Sequence, residues 1–381
     1  MRIGIIAPPW IPVPPPAYGG IESFIDVLAR EFAAAGHEVV LAASGDSTCP
    51  VERLPGFPPA DHGMIGMTTH ELRHLIRAYD GLADVDVIVD NTLGGPILAQ
   101  IATSRPVVTI VHSPFEEVVV ELYRATSPDL TFVAISHHQA STSPGIPITE
   151  VIHHGIRTED VPVGQGGSEA CFVGRMHPAK GPMEAVRIAE LAGIRLRIAA
   201  KMREEAESEY FEEVVQPALG SNAEYVGELS TEEKYELMGS SGALLNPIQW
   251  DEPFGLVMIE ALATGTPVVA TPRGSVPEIV EDGRNGFVRA DLGDLAAALG
   301  RASSLDRDEC RASVEERFTA AQMAQRYVEL FERLLQRERG SGGGGGGTAR
   351  PAVPIATDHS RSAAGITLGS AAIEDGAPQT A

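Results

Sequence analysis

Short β-rich runs alternate with helical patterns along most of the chain, and this alternation constrains the fold more than any other feature. Strands separated by helices build parallel sheets that are covered on both faces. In the first half the β-rich runs are 2–7, 38–43, 85–90, 106–112, 131–136 and 150–153. Helical spacing lies between them, most clearly over 20–35, which ends at Gly36. In the second half strands are expected at 170–174, 195–200, 224–226, 243–246 and 267–271, and helices at 181–191, 203–215, 231–238, 255–263 and 292–302. The spacer VPVGQGGSEA, residues 161–170, divides the chain into two Rossmann-like doubly wound halves, 1–160 and 161–319. At 381 residues there is enough chain for two sizeable cores. An amphipathic helix is expected over 320–337. From Gly340 onward GSGGGGGGTARPAVP lacks apolar spacing, so 340–381 reads as a disordered tail that cannot bury enough surface to order itself. Residues 45–70 carry no interpretable pattern.

Ligands of doubly wound sheets bind at the carboxyl ends of the strands, so the loops there hold the candidate chemistry. The segment DEPFGLVMIE, Asp251 to Glu260, is the richest. Pro253 suits the first turn of a helix, where a missing N–H costs nothing. Gly255 lets backbone approach a ligand closely. The free N–H groups of Phe254, Gly255 and Leu256 would form an anion site at the positive end of the helix dipole. Glu252 before the turn and Glu260 within the helix can face one ligand, one for a sugar hydroxyl and one for a ribose. By itself each acid also fits a plainer role, as a dipole partner or on a solvated face.

A second element, FVGRMHPAKG, supplies Arg175 and Lys180 after a strand. Fixed cations there favour a leaving diphosphate as it gains charge. Lysine is scarce, occurring only at 180, 201 and 234, so one in this motif is informative. Lys201 is a weaker candidate that also fits a solvated role. Tyr18-Gly19-Gly20 leads from the first strand into a helix, and Gly19 and Gly20 could bring amides to a phosphate or form only a flexible turn. This is not a G-x-G-x-x-G fingerprint, which argues against a nicotinamide enzyme. Glu22 fits an electrostatic cap of that helix. His112 ends a strand where it can face a cleft. The pairs His137-His138 and His153-His154 look like metal ligands, but neighbours on a strand point to opposite faces, so no metal site is expected. Ser275 and Glu278 fit a capping box.

The net charge of −23 argues against nucleic acid. Residues 1–160 have eight Arg, no Lys and a net charge of −11, which disfavours anionic lipid and favours a small water-soluble acceptor. The three cysteines, 49, 171 and 310, show neither disulfide nor metal spacing. The apolar start RIGIIA is too short for a signal peptide, and a cytoplasmic location is expected.

Together these motifs resemble the family 4 retaining glycosyltransferases of GT-B fold, whose signature E-x-F-G-L-x-x-x-E is met by residues 252–260. The likeness recurs at ordered points over roughly residues 2–335. It implies two Rossmann-like doubly wound domains facing across a cleft, with the last helix bracing the first domain. It implies transfer of a hexose from a nucleotide-diphosphate sugar, with UDP the first expectation, to an acceptor held by the first domain. Arg175, Lys180 and the amides of Phe254–Leu256 would hold the diphosphate, the Gly19-Gly20 loop would face it, Glu252 would bind the donor sugar and Glu260 the ribose. His112 would lie near the sugar, and the base would meet backbone near residues 225–228. No cofactor and no metal would be needed. Many family members have Asn where His154 stands, which leaves the role of His154 open. APPWIPVPPPAYGGIE and VIHHGI are similar to a subgroup labelled UDP-glucose:tetrahydrobiopterin glucosyltransferase. Three alternatives share the architecture. A pyridoxal-phosphate phosphorylase would need a lysine that ALATGTPVV lacks. A sugar-nucleotide epimerase and a non-catalytic sugar-nucleotide-binding protein are the others.

Overall fold

The computed structural model describes residues 1–126, 130–143 and 145–341. Its framework is two all-parallel sheets. The first contains β1 (Arg2–Ile6), β2 (Glu38–Ala42), β3 (Glu52–Arg53), β4 (Val87–Asp90), β5 (Val107–Val111), β6 (Thr131–Ala134) and β7 (Ile148–Val151), in the order β3-β2-β1-β4-β5-β6-β7. The second contains β8 (Ala170–Arg175), β9 (Leu196–Lys201), β10 (Ala223–Gly227), β11 (Ala243–Asn246), β12 (Val268–Ala270) and β13 (Gly286–Val288), in the order β10-β9-β8-β11-β12-β13. In both sheets the order reverses beside the first strand, between β1 and β4 and between β8 and β11. A crevice opens at the carboxyl ends of the strands at such a point.

The central strands are apolar on both faces because helices cover both. Ile3 and Ile5 of β1 pack with Val87 and Val89 of β4 in one core, while Ile6 and Ile88 face another. The helix Gly20–Ala34 buries Phe24, Ile25, Leu28, Ala29 and Phe32, a stripe at helical spacing. Its own N-terminus is aimed at the crevice.

The helix Ala320–Ser341 follows the second sheet in sequence but packs on the first lobe, against Gly20–Ala34. Phe331 meets Phe32 edge to face at 5.6 Å, and Arg326 and Arg333 both reach Glu150 of β7. The chain therefore passes between lobes twice, and the two passages are bonded side by side. The Ile156 amide donates to Phe318 O at 2.9 Å, and the Ala320 amide to Ile156 O at 2.8 Å. Gly155 permits this approach, since a Cβ there would lie 2.3 Å from Thr319 O.

Several elements differ from expectation. The span 203–215 is not one helix: an α-helix, Glu205–Tyr210, passes into a π turn, Phe211–Val215. The helix after the Pro-Phe-Gly turn begins at Leu256, because Gly255 sits at φ 85° and interrupts helical geometry. Pro253 thus lies ahead of the helix and not in its first turn. The final helix continues to Ser341, past residue 337. The rest of the expected disordered tail, 342–381, lies outside the described residues. The stretch 45–70 holds the two-residue strand β3 and a 3-10 turn, His62–Met64, and helix Thr68–Gly81 begins near its end. No described helix is long and apolar enough to cross a membrane.

Candidate active site

The carboxyl ends of both sheets face one cavity of about 820 Å³. The ten residues expected to hold the donor or act on it line it: Gly19, Gly20, His112, Arg175, Lys180, Glu252, Phe254, Gly255, Leu256 and Glu260.

Its cations come from the second lobe. Arg175 is the last residue of β8, and Lys180 ends a 3-10 turn, Pro178–Lys180. Gly181 lets that turn lie on the 246–248 segment, since a Cβ there would sit 2.1 Å from Pro247 O. Lys201 ends β9, and Arg203 and Lys234 complete the set around the cavity. Each has a carboxylate partner. Arg175 Nε is 3.0 Å from Glu207, Lys201 Nζ is 2.6 Å from Glu204, Arg203 is 2.6 Å from Glu228, Lys234 Nζ is 2.7 Å from Glu260, and Lys180 pairs with Glu252. Burial works to raise the Glu207 pKa, but the Arg203 and Glu204 amides and the Arg175 guanidinium outweigh it and hold the carboxyl below its ordinary range. An anionic ligand entering here would exchange with carboxylates for cations already in place.

Glu252 accepts from Trp250 Nε1 at 2.8 Å, and Lys180 Nζ lies 5.1 Å from the centre of the same indole. The turn that follows is clamped from behind. The Ser275 amide donates to Glu252 O at 3.0 Å, and the Ser275 hydroxyl donates to Phe254 O. The Phe254 ring is buried against His154 and Phe318, which pins the turn while its amides stay free. The N–H groups of Phe254, Gly255 and Leu256 have no partner among the described residues. Across the cavity Gly19 caps helix Gly20–Ala34. A side chain on Gly20 would come within 3.9 Å of Leu256 Cδ1, so the two helix N-termini approach each other. The Tyr18 amide donates to Glu228 at 3.1 Å, another bond between lobes.

Two family models meet on this chain. That of Glycosyltransferase Family 4 matches residues 18–160, and that of Glycosyl transferases group 1 matches residues 160–317. The chain is a glycosyltransferase of the GT-B superfamily. It is 25% identical to a phosphatidyl-myo-inositol mannosyltransferase of Mycolicibacterium smegmatis over 86% of this chain and 90% of that one. It is 29% identical to an N-acetyl-alpha-D-glucosaminyl L-malate synthase of Bacillus anthracis over 27% of this chain, and there it spans only 29% of the relative's length. AviGT4, a glycosyltransferase involved in avilamycin A biosynthesis, shares the fold with a TM-score of 0.69 and 26% identity, covering 88% of this chain and 98% of that one. Anabaena HepE, solved with UDP and glucose, has a TM-score of 0.68 at 18% identity, covering 87% and 99%.

The first-lobe wall of this glycosyltransferase carries groups that are neutral or easily neutralised. His112 Nε2 is 2.9 Å from Asn91 Oδ1, and burial pushes its pKa down to about 3. His154 is held well below the ordinary histidine value by burial first, then by His112 and His153. Its Nδ1 is buried with no partner among the described residues. Glu22 is 4% exposed, and burial pushes its carboxyl up to about 7 despite a hydrogen bond from its own amide. The carboxyl folds back toward Gly19, as a helix-capping acid would, but it also lines the cavity.

Ser275 and Glu278 do not form the expected capping box. The Ser275 hydroxyl is taken by Phe254, and Glu278 reaches across to the first lobe. Its carboxylate accepts from the His137 amide at 2.9 Å, the His138 amide at 2.7 Å and His153 Nε2 at 2.8 Å. His137, His153 and Glu278 thus bring ligand atoms within 4.8 Å of one another, a set that could hold a metal and that comparing adjacent histidines missed. The structure shows the carboxylate engaged in an interlobe tie. Burial works to raise the Glu278 pKa, but His153 and the two amides outweigh it and hold it low. This contribution is fully present above the unfolded carboxylate value and is lost as pH falls through the lower folded one. Glu278→Ala is expected to destabilise the protein by about 2 kcal/mol, the scale of hydrogen bonds to a charged group. An unchanged melting midpoint at pH 7 would refute the tie.

Sequence reading missed Arg203, Lys234, Asn246 and Trp250 as cavity residues and undervalued Lys201. Asn246 ends β11, and its Nδ2 is buried with no partner among the described residues. Lysine scarcity was the available signal, since all three lysines line the cavity.

Proposed function

We propose that this glycosyltransferase moves a hexose from a UDP-sugar to a hydroxyl of a soluble acceptor, with retention at the anomeric carbon and without a metal. The observation that carries the reading is one cavity in which guanidinium, ammonium and free turn amides on the second lobe surround Glu252 and Glu260. Arg175, Lys180 and the Phe254–Leu256 amides hold the diphosphate. Glu252 binds donor-sugar hydroxyls, and Glu260 binds the ribose. The narrower likeness to UDP-glucose:tetrahydrobiopterin glucosyltransferases supports UDP-glucose as the donor.

Retention by double displacement needs a carboxylate nucleophile about 5 Å from a second carboxyl group. Glu252 is held by Lys180 and Trp250, and Glu22 is partly protonated near neutral pH, so neither suits that role. A front-face path fits better. The C–O bond to the diphosphate breaks, the leaving phosphate oxygen takes the acceptor hydroxyl's proton, and the acceptor oxygen bonds to the oxocarbenium-like carbon on the same face. His112 orients the sugar. Closure of the lobes excludes water and suppresses donor hydrolysis.

Thermal shift with UDP, GDP and ADP tests the donor assignment. Stabilisation by UDP, reaching about 2.7 kcal/mol at 100 times Kd, is expected. No response to any of the three would remove it. NMR of the product reports the anomer, and an inverted product would rule out the front-face path. Glu260→Gln is expected to weaken UDP binding by roughly tenfold or more, from loss of a charge-assisted hydrogen bond. Unchanged affinity would exclude Glu260 from the nucleotide site.

A further inference from the structure

The charge around the cavity is divided by lobe. Its five lysines and arginines, Arg175, Lys180, Lys201, Arg203 and Lys234, all belong to the second lobe. None of the eight arginines of residues 1–160 lines it, and that segment has no lysine. The first-lobe wall instead has an apolar part and a weakly polar part. The apolar part is Trp10, Ile11 and Ile65. The Trp10 indole is stacked on His70, with centroids 5.5 Å apart and planes at 27°, so it stands as a fixed platform. Asp61 caps the turn that carries His62 and Gly63 to the cavity, by accepting from the Gly63 amide at 3.0 Å. Ile65, just after this turn, is 52% exposed. The weakly polar part includes His62, His112, Glu22 and His154; Glu22 and His154 are both buried, with His154 Nδ1 lacking a partner among the described residues.

We propose that this wall is an acceptor subsite for an uncharged hydroxyl compound with an apolar ring face, contacted by Trp10, Ile65, Glu22 and His154, and that it rejects phosphorylated acceptors. The proposal rests on the glycosyl-transfer reading above and adds the class of acceptor. A phosphate on the acceptor would meet no lysine or arginine on this wall. It would lie in a lobe of net charge −11 and beside the donor's own diphosphate. Rejection therefore comes from repulsion that no lysine or arginine on this wall offsets, and a neutral molecule escapes it. An apolar ring gains from the rigid indole, where desolvating both surfaces is favourable. A hydroxyl reaching His154 satisfies an Nδ1 that otherwise remains buried without a partner among the described residues.

The test uses the full chain saturated with UDP, as judged by thermal shift. Saturation-transfer NMR titrations compare 4-hydroxybenzyl alcohol, myo-inositol and D-myo-inositol 3-phosphate. The aryl alcohol should bind at least about tenfold more tightly than inositol 3-phosphate, with myo-inositol between them. Trp10→Ala should abolish aryl-alcohol binding and leave the UDP shift in place. Ile65→Arg, at an exposed position that tolerates the change, should narrow the gap by admitting the phosphate. Equal or tighter binding of inositol 3-phosphate overturns the proposal. So does an aryl alcohol that shows no saturable binding, or one whose binding survives Trp10→Ala. A protein whose melting ignores UDP sinks the donor reading instead, and the same titrations on the unloaded chain then decide the acceptor class.

Discussion

Lys180→Ala is expected to lower kcat/KM for transfer by about a hundred- to a thousandfold, the range for loss of one preorganised donor to a developing oxyanion, roughly 3–4 kcal/mol. The geometry gives the reason. Lys180 lies on a turn fixed against the 246–248 segment and shares Glu252 with the Trp250 indole. Its ammonium therefore needs little reorganisation to meet a phosphate. The deletion also leaves Glu252 without its cation. Glu252 is 14% exposed, so some of the loss should appear as lower stability. Lys180→Arg keeps the charge but not the compact shape and should recover only part of the rate. Wild-type turnover in the alanine variant, with its fold confirmed by circular dichroism, would contradict the cation assignment.

Glu22→Gln is expected to raise stability at pH 8 by about 3 kcal/mol at most and to flatten its dependence on pH. The folded carboxyl titrates at about 7, against an ordinary value of 4.5, because burial disfavours its charged form. The folded chain thus holds this proton more tightly than the unfolded chain. The contribution is fully present below the unfolded value and is lost as pH rises through about 7. A glutamine keeps the shape, never ionises, and carries no such penalty. The melting midpoint of the parent should fall between pH 5 and pH 8, while that of the variant should change less. The gain should come with weaker acceptor binding, since a buried acid that costs stability at a site is commonly kept for function. Parallel pH profiles for the two proteins would show that Glu22 is not the group responsible.

The fold was readable because its signal is local and repeated. Ala243, Leu244 and Leu245 of β11 are apolar in unbroken succession, as a strand covered on both faces requires, and helix Leu292–Ala302 matches its expected bounds. The unreadable parts lack such patterning. β3 is two residues long and exposed on both, and the His62–Met64 turn is too short for a period to emerge. The site divides in the same way. Glu252, Phe254, Gly255, Leu256 and Glu260 lie in one short segment, so their spacing alone suggested a shared ligand. Asn246 and Lys234 reach the cavity from separate elements, and only the packing of β11 and helix Thr231–Gly239 brings them there. Glu278 shows the same dependence. Locally it looks like half of a cap, and only the opposing lobe reveals what its carboxylate holds. The state of Glu22 depends on how much protein covers it, which no single element encodes.

The paired crossings near Ile156 and Phe318 leave the two halves little freedom to slide or twist independently. Two covalent strands laid edge to edge behave like a door hung on one pin, and rotation about that pin is the inexpensive motion. The catalytic mouth should then open as a wedge, widest at the edge far from the pin.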